Sequence, residues 1–486
     1  MKLNAWKAAS ILLFTSGWLA SATDPLTPAK IVADITTDEL YRVLRSLNSI
    51  AKKNGGTRAF GTPGYKASVD YVLERAQTRF ATEMDTHVQT LTFTYDETRE
   101  IKVTGPAGEN VYVVSPQYNP ATPLPGGIVA PLINTPVNDV TGSMCLPEQW
   151  EGIDATGKLA LVKRGICAVS TKLKLAKAHG ALGVILYNQI PGTVISTPTL
   201  GAENIGLLIP TGIIPLEVAT AWIPRLAAGE TLTVKLLVDA IAEERETWNV
   251  ISETKAGDPD KVIMLGAHLD SVLAGPGIND DGSGTAALLE LMGSVKKYRG
   301  FPHKIRFAWW AAEEAGLIGS TYYAEHLSEA EADKIKFYFN YDMIGSPYPK
   351  FEISKSDNSG VGSELLDNFL TAAGKNVTYG EFDGRSDYVG FSELGIPIAT
   401  LFTGEGENDP CYHQACDNLD NINWDAITIN TKAAANALGT LALSLDGVPA
   451  RSPPAPALRG RSKLNHKSQS WAAVAAKGIE SKFPSV

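Results

Sequence analysis

Apolar positions along this chain follow two rhythms. From Thr36 to Lys53 they fall at Leu40, Val43, Leu44, Leu47 and Ile50, one face of a helix. Thr36 or Thr37 can cap it, acids fill its first turn and Gly55-Gly56 ends it. A second amphipathic helix is expected from Gly64 or Tyr65 into the eighties. Near Pro116 the chain turns rich in Pro, Gly, Val, Ile and Leu and poor in acids, to about residue 240. Within it Gly157–Gly165 reads as a buried strand, Ser170–His179 as a helix and Val184–Asn188 as a strand, a βαβ-like unit that interrupts what began before it. From Trp248 apolar strands at 261–267, 304–310, 335–341 and 397–402 alternate with helical segments at 284–298, 316–327, 361–374 and 425–445. That alternation predicts an α/β fold, a mixed and mostly parallel sheet sandwiched by helices.

The 486 residues suffice for two or three domains. Lys2 and Lys7, the apolar run Ala8–Ala20 and Ala20-Ser-Ala22 read as a secretory signal over 1–22, and 23–34 reads as a short leader. The net charge of −10 is uneven: Lys2 and Lys7 carry +2 and the tail from Arg451 carries +6, which leaves −18 on the body. Such a body argues against nucleic acid as a partner. No later run supplies the ~20 apolar residues of a membrane span. The Pro-, Ser-, Ala- and Lys-rich tail, 449–486, is expected to be disordered. Cys145, Cys167, Cys411 and Cys416 allow three pairings, of which proximity favours Cys145–Cys167 and Cys411–Cys416 in an oxidising compartment. Asn376-Val-Thr378 is a glycosylation sequon.

Ligands bind at the carboxyl ends of strands in an open α/β sheet. Three apolar strands here run into metal-type residues: the first into His268 and Asp270, the second into Glu313-Glu314, the third into Asp342. Asp280 and Asp281 stand among glycines between the first strand and its helix. A surface carboxylate or a helix cap explains any one of these alone; three consecutive strands delivering such a group argue for a cation site. A second histidine is offered by His413, in a loop that a Cys411–Cys416 bridge would hold rigid. His87, His179, His303, His326 and His466 stand in polar or tail contexts. Two histidines and three carboxylates can hold two zinc ions when one carboxylate bridges. One member of the Glu313-Glu314 doublet can then serve as general base, and the order of the residues does not say which.

His268-Leu-Asp-Ser, Gly277-Ile-Asn-Asp-Asp-Gly-Ser-Gly284, Ala311-Ala-Glu-Glu-Ala-Gly-Leu-Ile-Gly-Ser320, Asn340-Tyr-Asp-Met-Ile-Gly345, Gly384-Arg-Ser-Asp-Tyr388 and Tyr412-His413 resemble the M28 family of zinc aminopeptidases. The stretch Arg58-Ala-Phe-Gly-Thr-Pro-Gly-Tyr65 fits that family's N-terminal part. Gly157-Lys-Leu-Ala-Leu-Val-Lys-Arg-Gly-Ile-Cys167 and Ala178-His-Gly-Ala181 resemble a protease-associated (PA) domain. The resemblance implies a zinc-exopeptidase fold of the phosphorylase/hydrolase-like kind, with a β-rich PA domain at 116–243 inserted between peptidase parts at 35–115 and 244–448. It further implies that Asp280 bridges two Zn2+ per chain, with His268 and Asp342 on one and Glu314 and His413 on the other. Glu313 would be the general base, Tyr412 an oxyanion donor, and Asp270 the group that orients His268. Asp281 would follow a strained peptide without binding metal. Arg385 would contact the substrate amine through its main chain, and Met343, Gly384 and Phe402 would line the first side-chain pocket.

The resulting expectation is a secreted, monomeric di-zinc aminopeptidase that takes apolar, leucine-like residues from peptide N-termini by metal-activated water, with a vacuolar or lysosomal location as the alternative. A carboxypeptidase would need a cation aimed at a terminal carboxylate, and only Arg385 offers one. A glutaminyl cyclase would use one zinc, and a receptor with a dead peptidase domain would lack ligands or the base; all five ligand positions and the base are present.

Overall fold

The computed structural model describes residues 24–354 and 360–452; the signal read over 1–22 and the tail from residue 453 lie outside them. The chain opens with α1 (Pro28–Asp34), α2 (Thr37–Lys53) and α3 (Pro63–Glu74). Thr27, Thr36 and Thr62 cap them, their side chains accepting from the N–H groups of Lys30, Glu39 and Tyr65. The segment read as a leader is built into the protein: Leu26 and Ile31 are buried in its main core. The helix expected to reach the eighties ends at Glu74 and continues as one wider turn, Arg75–Arg79.

Next come β1 (Met84–Thr104), β2 (Asn110–Val111), β3 (Ile128–Asn134), β4 (Leu159–Lys163), α4 (Val169–Ala178), β5 (Gly183–Tyr187), β6 (Thr211–Ile214), α5 (Leu216–Ala227) and β7 (Thr233–Thr254). The rest is β8 (Asp258–His268), α6 (Gly282–Val295), β9 (His303–Trp310), α7 (Ile318–Glu325), α8 (Glu329–Ala332), β10 (Ile335–Tyr341), β11 (Phe351–Ser354), α9 (Gly360–Ala372), β12 (Val377–Gly380), α10 (Val389–Glu393), β13 (Ile398–Leu401) and α11 (Trp424–Leu443).

One sheet runs β13-β10-β8-β9-β7-β3-β4-β5-β6, with β1 along β7. β13, β10, β8 and β9 are parallel, as are β3 to β6. The long strand β7 is antiparallel to its neighbours and joins the two groups: Val250–Glu253 pair with β9, while Thr233–Leu236 pair with β3. β1 lies along almost its whole length, from Met84 opposite Thr254 to Thr104 opposite Lys235.

The central strands are apolar throughout because helices cover both faces. Along β8, Ile263, Leu265 and Ala267 face the core beneath α2, α6 and α11, while Val262 and Met264 face the one that holds Trp310, Tyr338 and Phe391. Gly266 leaves room between them: a Cβ there would meet the Tyr338 hydroxyl at 2.1 Å and the Trp310 indole nitrogen at 2.5 Å. Those two groups hydrogen-bond at 2.9 Å. Helix α6 is apolar all round and buried along nearly its whole length, so its N-terminal end is fixed. The strands finish in register, with His268 opposite Trp310, Asn340 opposite Gly266 and Tyr341 opposite Leu401. The residues that follow them therefore emerge along one edge. Among the described residues no helix is long and apolar enough to cross a membrane.

Glu290 is an exception inside α6. It is 8 % exposed, and its carboxylate accepts the N–H of Thr36 at 3.2 Å. Burial pushes its pKa up to about 7. A raised carboxyl pKa means that the folded state favours the neutral acid, so stability is full below pH ~4.5 and falls as pH rises through 7. Glu290→Gln keeps the acceptor and removes the charge. It should raise the melting temperature at pH 8, by about 2–4 °C for each of the ~1–2 kcal/mol gained, and leave it near wild type at pH 4.5. Thermal melts at the two pH values check this.

Candidate metal centre

At that edge the chain gathers carboxylates around two histidines. His268 ends β8 and is 1 % exposed. Its Nε2 lies 3.1 Å from one oxygen of Asp280 and 3.6 Å from Asp342 Oδ1. The second oxygen of Asp280 lies 3.1 Å from His413 Nε2, which is itself 3.0 Å from Glu314 Oε2. Asp280 thus divides its carboxylate between two clusters: His268 with Asp342, and His413 with Glu314. The five residues read as ligands converge here.

Hydrogen bonding separates these groups from their supports. Asp281 caps α6, its Oδ1 accepting the N–H of Gly284 at 2.7 Å and of Met343 at 3.2 Å. The Asp280–Asp281 peptide is cis. Asp417 receives the N–H of Asn279 on one oxygen and of Asp280 on the other, at 2.9 and 3.1 Å. Asp409 takes the Asn279 and Asn421 side-chain amides. A chain of hydrogen bonds runs from Trp310 through Tyr338, Asn340 and Ser386 to Asp342 Oδ2. Among the described residues, Asp342 Oδ1, Glu314 Oε1 and Asp281 Oδ2 are buried without a hydrogen-bond partner. Ligand atoms of His268, Asp280 and Glu314 lie within 4.8 Å of one another, as do those of His268, Asp281 and Asp342. Buried acceptors left unpaired while converging on one space are what a cation satisfies, and the nitrogen and oxygen donor set suits zinc.

The electrostatics agree. Burial, with repulsion from Asp280, raises Glu314 to about 7 despite His413. Burial would lower His413, but Glu314 and Asp280 outweigh it and push it up to about 11. Glu313, buried beside Asp387, Glu314 and Asp342, stands well above the carboxylate range. The pocket holds more negative charge than its histidines offset.

Asp270 differs from the expectation. Its oxygens accept the N–H groups of Glu313 and Glu314 at 3.0 and 3.3 Å, while His268 Nδ1 is 3.6 Å away, beyond a hydrogen bond. It aligns the doublet more directly than the histidine. Met343 and His413 take left-handed backbone, φ 49° and 57°. At Met343 the Asp281 carboxylate and the Thr403 N–H hold it there. Cys411–Cys416 and Cys145–Cys167 are bonded. Tyr412 stacks on His413 at 3.8 Å, and burial keeps its phenol protonated.

The clusters open into a cavity of about 450 Å³ walled by Met343, Phe402, Arg385 and Tyr412, with Gln117 and Thr197 reaching it from the 116–243 segment. Gly384 is exposed, next to Arg385 in the chain. The Arg385 guanidinium is occupied by Asp383 and Glu405. Asn376 is exposed just ahead of β12. The sequence reasoning passed over Arg58, Asp417, Asp409, Asn340 and Ser386. Asp417 directly follows Cys416, and Ser386 and Arg58 stand inside motifs quoted above, so position alone marked them.

The Peptidase family M28 model matches residues 249–438 and the PA domain model residues 128–222. An aminopeptidase of Pseudomonas aeruginosa is 35 % identical over 89 % of this chain and 87 % of its own length. Aminopeptidase Y of Saccharomyces cerevisiae is 40 % identical over 60 % of this chain and 57 % of its own. The probable leucine aminopeptidase 2 of Aspergillus fumigatus is 39 % identical over 61 % and 64 %. Among solved structures, an aminopeptidase from Aneurinibacillus sp. strain AM-1 superposes with a TM-score of 0.66 at 26 % identity, covering 88 % of this chain and 98 % of that one. The zinc aminopeptidase BSAP of Bacillus subtilis superposes with a TM-score of 0.59 at 26 % identity, covering 89 % and 99 %.

Asp417→Asn tests the support beneath Asp280. A carboxylate accepts two backbone N–H groups, one on each oxygen, whereas an amide turns an NH2 toward one of them. The variant should lose about 1–3 kcal/mol and retain less zinc through dialysis, measured by thermal melting and by metal analysis of the dialysed protein.

Proposed function

The chain belongs to peptidase family M28 and carries a PA domain, and from that premise we propose that it is a secreted di-zinc aminopeptidase that removes apolar, leucine-like residues from peptide N-termini. One observation carries the two-metal reading: the Asp280 carboxylate stands between His268 and His413, one oxygen 3.1 Å from each. His268, Asp342 and one Asp280 oxygen would hold one ion; His413, Glu314 and the other oxygen would hold the second. Zinc bound there supplies Lewis-acid polarisation of the scissile carbonyl and lowers the pKa of water.

The chain's own groups divide the remaining work. Glu313 is buried at the cavity, its Oε2 4.0 Å from His268 Nε2, with its backbone held by Asp270. It would take a proton from the attacking water and pass it to the departing amine. The protonated Tyr412 would donate to the carbonyl oxygen as charge develops there. The acids around Glu313 and Asp342 attract a free α-ammonium. Met343 and Phe402 supply apolar wall for the first side chain, and Arg385 stands beside them. Because Asp383 and Glu405 engage the Arg385 guanidinium, the cation a carboxypeptidase needs is already committed. The peptidase parts are assigned to 35–115 and 244–448 and the PA domain to 116–243. Two disulfides and the signal-like start support passage through an oxidising compartment; Asn376 is a surface site for glycosylation there.

The test pairs amino-acid p-nitroanilides with N-acetylated controls and a chelator. Leucine p-nitroanilide should be cleaved, the acetylated form should not, and chelation should abolish turnover. Metal analysis should give two zinc ions per chain. Glu313→Gln should lower kcat by about 10²–10⁴-fold with zinc retained. Equal rates on the acetylated substrate would overturn the exopeptidase reading, and one zinc per chain would favour a cyclase-like site.

A further inference from the structure

We propose that Arg58 is a positioning residue for the metal site, a buried guanidinium that fixes the loop joining His268 to Asp280; this rests on the reading of Asp280 as a ligand. Arg58 lies between α2 and α3, far ahead of residues 249–438 that match the peptidase model. It is 0 % exposed. Nε donates to the carbonyl of Pro276 at 2.8 Å, and the two Nη groups donate to the carbonyls of Leu269 and Gly277. Leu269 directly follows His268, and Gly277 stands three residues before Asp280. One planar fork therefore ties both stems of the loop whose ends carry the two groups.

The same short stretch adds further ties. The N–H of Arg58 donates to Ser271 Oγ at 3.0 Å, Ser271 Oγ donates to the Gly275 carbonyl at 2.9 Å, and Thr57 Oγ1 donates to the Val272 carbonyl at 2.8 Å. Gly277 has φ +58°, and a Cβ there would meet Ser271 and the Asp280 carbonyl within 2.4 Å. The loop is packed to the limit on the side that Arg58 closes.

Burying a guanidinium costs free energy unless its charge is met. Among the described residues no carboxylate forms an ion pair with Arg58 within 4.0 Å; three carbonyls meet it directly, and the charges of Asp270, Asp417, Asp281 and Asp280 act on it from further away. This gives the inference a sign. A fixed cation near a metal site repels the metal, so by charge alone removing Arg58 should tighten zinc binding. By positioning, removing it frees the loop and should weaken binding. The number and direction of its hydrogen bonds favour the second effect. Lys keeps the charge and loses the fork, so Arg58→Lys and Arg58→Met should both weaken zinc.

The experiment titrates zinc into the zinc-free full chain under chelator-buffered free zinc, following bound metal and thermal melting separately. Arg58→Lys, Arg58→Met and the milder Ser271→Ala are compared with Asp280→Asn. The Arg58 variants should need about 10–100-fold more free zinc at the midpoint, and Ser271→Ala should shift it in the same direction by less. A lower melting temperature of the zinc-free protein with an unmoved or tighter zinc midpoint would assign Arg58 a purely structural role and overturn the proposal. If the Arg58 variants do not fold, the Ser271→Ala midpoint decides. If Asp280→Asn leaves zinc binding unchanged, the ligand reading itself fails; if Asp280→Asn loses zinc while Arg58→Lys keeps it, only the Arg58 proposal fails.

Discussion

Holding like charges together at one edge of a buried sheet is the constraint from which the rest of this structure follows. Asp270, Asp280, Asp281, Glu313, Glu314, Asp342, Asp387 and Asp417 share a space that excludes most water. Repulsion at these separations is costly where the dielectric is low. The fold meets it with directed N–H donors. Asp270, Asp281 and Asp417 each accept backbone N–H groups and so become scaffold. Asp342 and Glu314 keep a buried oxygen unpaired, and Asp280 has only histidines opposite its carboxylate oxygens. Backbone donors thus engage both oxygens of Asp270 and Asp417 but only Oδ1 of Asp281, whose Oδ2 stays unpaired as oxygens of Asp342 and Glu314 do.

The sheet brings these groups to one place cheaply. Parallel strands end in register, so β8 releases His268 and Asp270, β9 Glu313 and Glu314, and β10 Asp342 at a common edge without long loops. Of the two other residues proposed as ligands, Asp280 stands in the loop after β8, and His413 comes from a loop closed by Cys411–Cys416 and anchored through Asp417 beneath Asp280. The inserted segment is not remote from this edge. β7 runs continuously from the peptidase strands into the inserted group, which carries Gln117 and Thr197 to the mouth of the cavity. The shape of the cleft therefore depends on both halves of the chain.

What could be read beforehand follows from burial. β8, β9 and β10 are covered on both faces, so their apolar runs are unbroken and their ends are marked by the first polar residue. The ligand types were legible for the same reason. β1 and β7 were not, since as a long ribbon they pair mostly with each other, and stretches such as Glu243-Glu244-Arg245-Glu246 carry a surface pattern inside a strand. Residues 23–34 read as a short leader in the sequence; only contact with the core gives α1 its place. Arg58, Asp417 and Ser386 act through partners distant in sequence, which periodicity does not report. The family resemblance ties Asp270 to His268, whereas its hydrogen bonds go to Glu313 and Glu314.

The adjacent pair Asp280 and Asp281 carries the logic furthest. Both are buried and one peptide apart, and both have an oxygen close to His268. They differ in what the backbone has already given them. Asp281 Oδ1 accepts from Gly284 and Met343, so moving Asp281 would uncap α6 and release Met343 from its left-handed conformation. Asp280 receives no backbone donor on its side chain; its own N–H is held by Asp417, and the carbonyls leading to it are held by Arg58. The protein has immobilised the main chain of Asp280 and left its carboxylate open, while for Asp281 it has engaged one oxygen of the carboxylate itself. Under the proposed function, two identical side chains in succession take opposite parts, one as ligand and one as frame, without any difference in residue type.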